Sequence, residues 1–172
     1  MLHALLGIVP GTFEELLWNG EKTEDPFSLF QLPNAAVCLQ NSHLLNATIR
    51  ENLTLDRDFS DESCLEALND CCIAEEVMHM PDGLDTLAGE NGIMLSGGQK
   101  QRILLARMLL THPRLYLLDD ATSALDGKTE RKILETLRER IRRDNGAAVI
   151  VSDSDNVKAM ADRILSIGGN AS

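Results

Sequence analysis

Apolar residues recur along this chain with two different periods. From Gly97 to Leu110, in GGQKQRILLARMLL, they return every three to four positions, the spacing of a helix face, and His112-Pro113 closes the run. KTERKILETLRERIRR, from Lys128, has the same period, and DESCLEALNDCCIAEEVMHM, residues 61–80, reads as another helix with Ser60 as its N-cap. Short apolar runs lie between these segments. AAVCLQ (35–40), RLYLLDD (114–120), AAVIVS (147–152) and RILSI (163–167) read as strands. RLYLLDD is apolar in consecutive positions, as a strand covered on both faces of a parallel sheet must be. ELLWNG (15–20) reads as a short strand ending in an Asn-Gly turn, and MLHALLG as the tail of a helix stopped by Gly7. Strands alternating with helices predict an α/β fold with a mostly parallel sheet. The stretch from about 42 to 95 is mainly helical in pattern and predicts an inserted subdomain.

The helix starts carry the first chemical signal. In LSGGQKQR, residues 95–102, Ser96 can cap a helix and Gln99 can complete a capping box, while Gly97 and Gly98 leave the first-turn amides bare. Such a start favours an anion, though by itself it reads more readily as a plain cap. Ser123 and Asp126 form a second capping signature ahead of the Lys128 helix. The strand RLYLLDD ends in two carboxylates, Asp119 and Asp120. At the carboxyl edge of a parallel sheet the first can hold the Mg²⁺ of a nucleotide and the second can act as a base for water.

Composition removes several function classes. With 16 Lys and Arg against 27 Asp and Glu, the formal charge of −11 argues against wrapping a nucleic-acid backbone. At 172 residues the chain has the length of one domain. Cys38, Cys64, Cys71 and Cys72 show no zinc spacing and read as thiols in a reducing compartment, and the four histidines show no metal spacing. No run approaches the roughly 20 apolar residues of a membrane span, and MLHALLGIVP lacks the basic lead-in and cleavage site of a signal peptide. The basic run Arg138 to Arg143 reads as a solvated helix end.

Taken in order, these features resemble the ATP-binding cassette (ABC) ATPases of the exporter type. LSGGQKQR resembles the family signature, and LLDDATSALD resembles Walker B running into the D-loop at Asp126. Gln40 matches the Q-loop glutamine, Pro113 the proline before Walker B, and TIRENL and DGLDTLAGENG are similar to exporter segments that face the transmembrane coupling helices. The resemblance implies a P-loop NTPase-like fold, ATP and Mg²⁺ as cofactors, Asp119 and Gln40 at the metal, and Asp120 in the catalytic position. It places Gln40, Ser96, Gly97, Gly98, Gln99, Asp126 and Asp153 around nucleotide. It also implies two partners, a second ABC ATPase domain and the transmembrane domain of an exporter, at the cytoplasmic face of a membrane. A non-catalytic module that regulates a partner ATPase and a soluble ABC ATPase are the rival readings.

Three departures from the family pattern stand out. The phosphate loop GxxxxGK[ST] does not occur in these residues, and in the family it opens the helix that ends like MLHALLG, so Met1 falls just after its expected Ser/Thr. The family's catalytic Glu is here Asp120, and its switch histidine is here Asp153. An intact signature beside a poor site of its own resembles the degenerate half of a heterodimeric exporter.

Overall fold

The computed structural model describes residues 6, 15, 17–18, 20–22, 30, 32–89 and 94–166. A small hairpin opens them: β1 (Leu17–Trp18) pairs antiparallel with β2 (Glu21–Lys22), and Gly20 takes the left-handed φ of +86° that the turn requires. β3 follows at Ala35–Cys38. β4 (Ala47–Thr48) leads into α1 (Ile49–Thr54), where Thr48 and Glu51 make a reciprocal capping box. Then come α2 (Asp61–Asp70), α3 (Ala74–Met78), a 3₁₀ turn at Gly83–Asp85, and β5 (Leu87–Ala88), which pairs antiparallel with β4. The remaining elements are α4 (Gly97–Leu110), β6 (Leu115–Asp119), α5 (Gly127–Arg143), β7 (Ala147–Val151) and α6 (Asp155–Met160).

The central sheet has the order β3-β6-β7, with both pairings parallel. β6 lies in the middle, and its Tyr116, Leu117 and Leu118 are buried, which is why RLYLLDD carries no alternation. One face of the sheet packs on α4, whose Ile103, Leu105, Ala106 and Leu109 form the centre of the main core with Ile49, Leu53 and Leu68. Such a helix, buried over most of its circumference, explains why its apolar positions outnumber a single stripe. On the other face Leu6, from the expected MLHALLG helix, packs with Ala35 and Leu117, and the rest of that segment lies outside the described residues.

Polar side chains hold the helical stretch to α4. Asn52, fully buried, accepts from the Leu45 N–H at 2.7 Å and from Arg107 at 2.9 Å, and its amide donates to the carbonyls of Leu45 and Thr48. Arg102 donates to Glu76 at 2.6 Å and to the Cys72 carbonyl at 2.6 Å. Arg50 bridges Asp85 and Asp61, and buried Arg140 of α5 reaches Asp70 and Glu66 on α2.

Three expectations need correction. Residues 61–80 do not form one helix: Cys72 turns left-handed at φ +55°, which ends α2 and lets both Cys71 and Ile73 bury. Ser123 does not cap a helix, because α5 begins at Gly127 and the neighbouring Asp126 accepts from the N–H groups of Lys128 and Thr129. RILSI forms no strand over residues 163–166. Ile164 and Leu165 are exposed there, and among the described residues β7 has a strand partner on its β6 side only.

Candidate functional site

Parallel register brings three strand ends to one edge. Cys38 stands opposite Leu118, and Asp119 opposite Val151, so Gln40, Asp119, Asp120 and Asp153 all leave the sheet at its carboxyl side. Ligands of open parallel sheets bind at such an edge. Gln40 and Asp120 meet directly, with the Gln40 Nε2 donating to Asp120 Oδ2 at 2.9 Å across 80 residues of sequence.

Asp120 is held in an uncommon conformation. Its φ of +50° is left-handed, a region that aspartate enters more readily than most side chains but still at a cost. Three contacts fix it there. Its N–H donates to the Val151 carbonyl at 2.8 Å, its own carbonyl accepts from Ser123 Oγ at 3.0 Å, and its carboxylate accepts from Gln40. A left-handed residue at the exit of the central strand, held by three contacts, marks this turn as a place where geometry is set by more than local preference.

With its amide nitrogen committed to Asp120, Gln40 keeps a carbonyl oxygen, and Asp119, which already has a partner of its own, contributes a carboxylate. These hard oxygen donors suit Mg²⁺, which takes one or two protein oxygens and completes its shell with water and phosphate. Among the described residues no group of three or more His, Cys, Asp or Glu could hold a metal ion by itself.

The second cluster surrounds the start of α4. Ser96 Oγ accepts from the Gln99 N–H at 3.2 Å, and Gln99 Oε1 accepts from the Ser96 N–H at 2.9 Å, the capping box read from the sequence. Gln99 also donates to Glu76 at 2.9 Å. Gly97 and Gly98 occupy the first turn, where amides have no helical acceptor. Gly98 lies so close to the loop after β6 that an added Cβ would stand 3.1 Å from the Ala124 carbonyl oxygen.

That loop separates the two clusters. Among the described residues no hydrogen bond joins Ser96, Gly97, Gly98 or Gln99 to Gln40, Asp120 or Asp153, and Asp126 is occupied as the cap of α5. Thr129 and Lys128 hold the Asp126 carboxyl below the ordinary carboxylate range. Two residues that sequence reasoning missed tie this loop down. Gln101 accepts from the Ala124 N–H at 2.8 Å and donates to Ser123 Oγ at 3.2 Å. Glu130, buried in the first turn of α5, accepts from Thr122 Oγ1 at 2.7 Å. Gln101 sits inside LSGGQKQR and could have been suspected; nothing in the α5 pattern distinguishes Glu130 from a solvent-facing carboxylate.

The parallel α/β sheet, whose central strand delivers two aspartates beside a glutamine from the neighbouring strand, matches a P-loop NTPase-like fold. The family model for ABC transporters matches residues 1–123, and the chain belongs to that family. Its relatives include proteins named as ABC transporters, a lipid A-core flippase and an iron-sulfur clusters transporter among them. It is 41% identical over 132 residues to the ATP-dependent lipid A-core flippase of Idiomarina loihiensis, which covers 76% of this chain and 22% of the relative. It is 38% identical over 127 residues to the mitochondrial iron-sulfur clusters transporter ATM1 of Saccharomyces cerevisiae, covering 73% of this chain and 18% of that protein. An uncharacterized ABC transporter ATP-binding protein of Bacillus subtilis, YwjA, is 42% identical over 78% of this chain and 23% of its own length. A solved bacterial Atm1-family ABC exporter with ATP bound matches with a TM-score of 0.77 and 32% identity, over 91% of this chain and 28% of that one. The chain thus corresponds to an exporter-type ATP-binding domain and spans about a quarter or less of the length of these relatives.

Proposed function

We propose that the chain serves in an ABC exporter as the half with the degenerate ATP site. Its start of α4 completes an ATP site on a second ABC ATPase domain, and the pair drives a transmembrane domain from the cytoplasmic face of a membrane. No helix among the described residues is long and apolar enough to cross a membrane. The observation that carries this reading is the separation of the two clusters. Among the described residues the Ser96–Gln99 start is capped and hydrogen-bonds to Glu76 rather than to Gln40 or Asp120, which supports its serving nucleotide held elsewhere.

Nucleotide at this chain's own edge would meet Asp119 and the Gln40 carbonyl through Mg²⁺, which supplies charge to polarise a phosphoryl oxygen. Asp120 would orient water. Compared with a glutamate, its carboxylate is withdrawn by one methylene, ~1.5 Å, and misplacement of that order costs about 100-fold in rate. Asp153 adds negative charge at the same edge where a histidine would stabilise the γ-phosphate. Both substitutions therefore slow the site. No GxxxxGK[ST] loop lies within the 172 residues, so these residues alone should bind ATP weakly.

The test is single-turnover hydrolysis by the full transporter, with the partner domain's catalytic glutamate removed so that only this site reports. Asp120→Glu with Asp153→His should raise turnover at least about tenfold, and less than additively, because both act on one water and one phosphate. Full turnover before the substitutions would overturn the degenerate-half reading.

A further inference from the structure

Glu130 is only 6% exposed although it lies in the first turn of an otherwise amphipathic helix. A carboxylate is not placed inside a fold without donors, and both of its oxygens are engaged. Thr122 Oγ1 donates to Oε1 at 2.7 Å, while Ser154 Oγ at 2.8 Å and Asn156 Nδ2 at 2.7 Å donate to Oε2. Burial pushes its pKa up, but the hydrogen bonds from Asn156, Thr122 and Ser154 outweigh it and keep the group below the usual glutamate range.

These donors come from the loop after β6 and from the segment that leads from β7 into α6. Thr122 follows β6, whereas Ser154 and Asn156 follow β7 and flank Asp153. Ser154 is the N-cap residue of α6, yet its hydroxyl makes no capping bond; it is spent on Glu130 instead. Asn156 also donates to the Gly127 carbonyl at 3.2 Å and accepts from Arg131 at 3.2 Å, and the Ser154 N–H donates to Ser152 Oγ at 3.1 Å. Asp155 pairs with Lys158. In this tied segment Asp153 is exposed and has no hydrogen bond or ion pair among the described residues.

We infer that Glu130 is a positioning residue: it clamps the segment 152–156, the loop after β7 and the start of α6, to the loop after β6 and thereby sets where the side chain at 153 stands relative to Asp120. The consequence for turnover rests on the reading of Asp153 given above; the clamp itself does not. Because every bond to Oε2 is donated to it, exchanging donor and acceptor tests the contact directly. Asn156→Asp sets two carboxylates against each other, and adding Glu130→Gln turns the pair round, with the new amide donating to the new acid.

Residue-resolved amide hydrogen exchange on the chain itself reads the loop without nucleotide. In Asn156→Asp, exchange at residues 153–156 should rise about tenfold or more while the Ile103–Leu109 amides of α4 hold, and in the double variant it should return to within about threefold of the parent. If Asn156→Asp fails to fold, recovery of folding in the double variant supports the clamp equally. Unchanged loop exchange in Asn156→Asp, or a double variant no better than the single, overturns it. In the full transporter, Asn156→Asp should cancel the gain from Asp153→His, and Glu130→Gln should restore it. A loop that responds while turnover does not supports the clamp and overturns the reading of Asp153 alone.

Discussion

Alanine at position 97 and alanine at position 98 should change stability in opposite directions, although both replace glycine in the first turn of one helix. Neither glycine has a positive φ, so a side chain adds no backbone strain. Both variants gain about 0.5 kcal/mol from the lower entropy of the unfolded chain and the better helix former. At position 97 the new Cβ stands 3.7 Å from the Ala124 Cβ, an ordinary contact, so the gain should survive. At position 98 it stands 3.1 Å from the Ala124 carbonyl oxygen, which must yield by a few tenths of an ångström. That carbonyl is poorly placed to yield. The Ala124 N–H is bonded to Gln101 at 2.8 Å and the Leu125 N–H to the Thr122 carbonyl at 3.0 Å. Overpacking of this kind costs about 1–3 kcal/mol, which leaves Gly98→Ala destabilised by about 1 kcal/mol and the two variants about 1.5 kcal/mol apart. Urea titrations of parent and variants, read by far-ultraviolet circular dichroism, measure that gap. Equal midpoints would mean that the loop moves freely and that the contact at 3.1 Å places no limit on it. The outcome bears on function too: a charged side chain at 98 would disturb this chain's own loop as well as any nucleotide, which makes Gly97 the cleaner probe of the helix start.

Acid should weaken the fold through several carboxyls at once. Glu51 by the Thr48 N–H, Glu76 by Arg102, Asp85 by Arg50 and Asp144 by Arg143 are all held below the usual range, as is Glu130. The folded state therefore binds fewer protons than the unfolded one, so this stability is complete above roughly pH 5, higher than the ordinary carboxyl values, and is lost as pH falls through the folded ones. Urea midpoints that stayed flat from neutral pH to about pH 3 would contradict it. The thiols should divide sharply. Burial pushes Cys38 up to about 12 and raises Cys64 and Cys71, so alkylation of the native chain followed by mass spectrometry should mark Cys72 first, and labelling of Cys38 at an equal rate would refute that division.

How much of this was legible in the sequence depends on whether a feature is local. The α4 capping box could be read from Ser96 and Gln99 because both partners lie within one turn, and β6 could be read from its unbroken apolar run. The end of α2 could not. Cys72 adopts a left-handed conformation without the glycine or asparagine that usually announces one, and the burial of Ile73 that rewards it is tertiary. Gln40 could be singled out only by its order among motifs; that it touches Asp120 follows from the parallel pairing of β3 with β6. Glu130 reads as one more acid on a charged helix, and only the loops that arrive from β6 and β7 give it partners.

The pairing of β3 with β6 also has a temporal consequence. Ala35–Cys38 meets Leu115–Leu118 with 80 residues between partners, and the intervening chain holds all of α1 to α4. On the ribosome, at about 5–20 residues per second, roughly 4–16 s pass between synthesis of the first strand and synthesis of the second. Through that interval the apolar β3 waits for β6, its strand partner among the described residues, while the helices after it can form from near neighbours. The side of β3 that will meet β6 thus stays an open β edge for seconds, a template for wrong pairing until β6 is made.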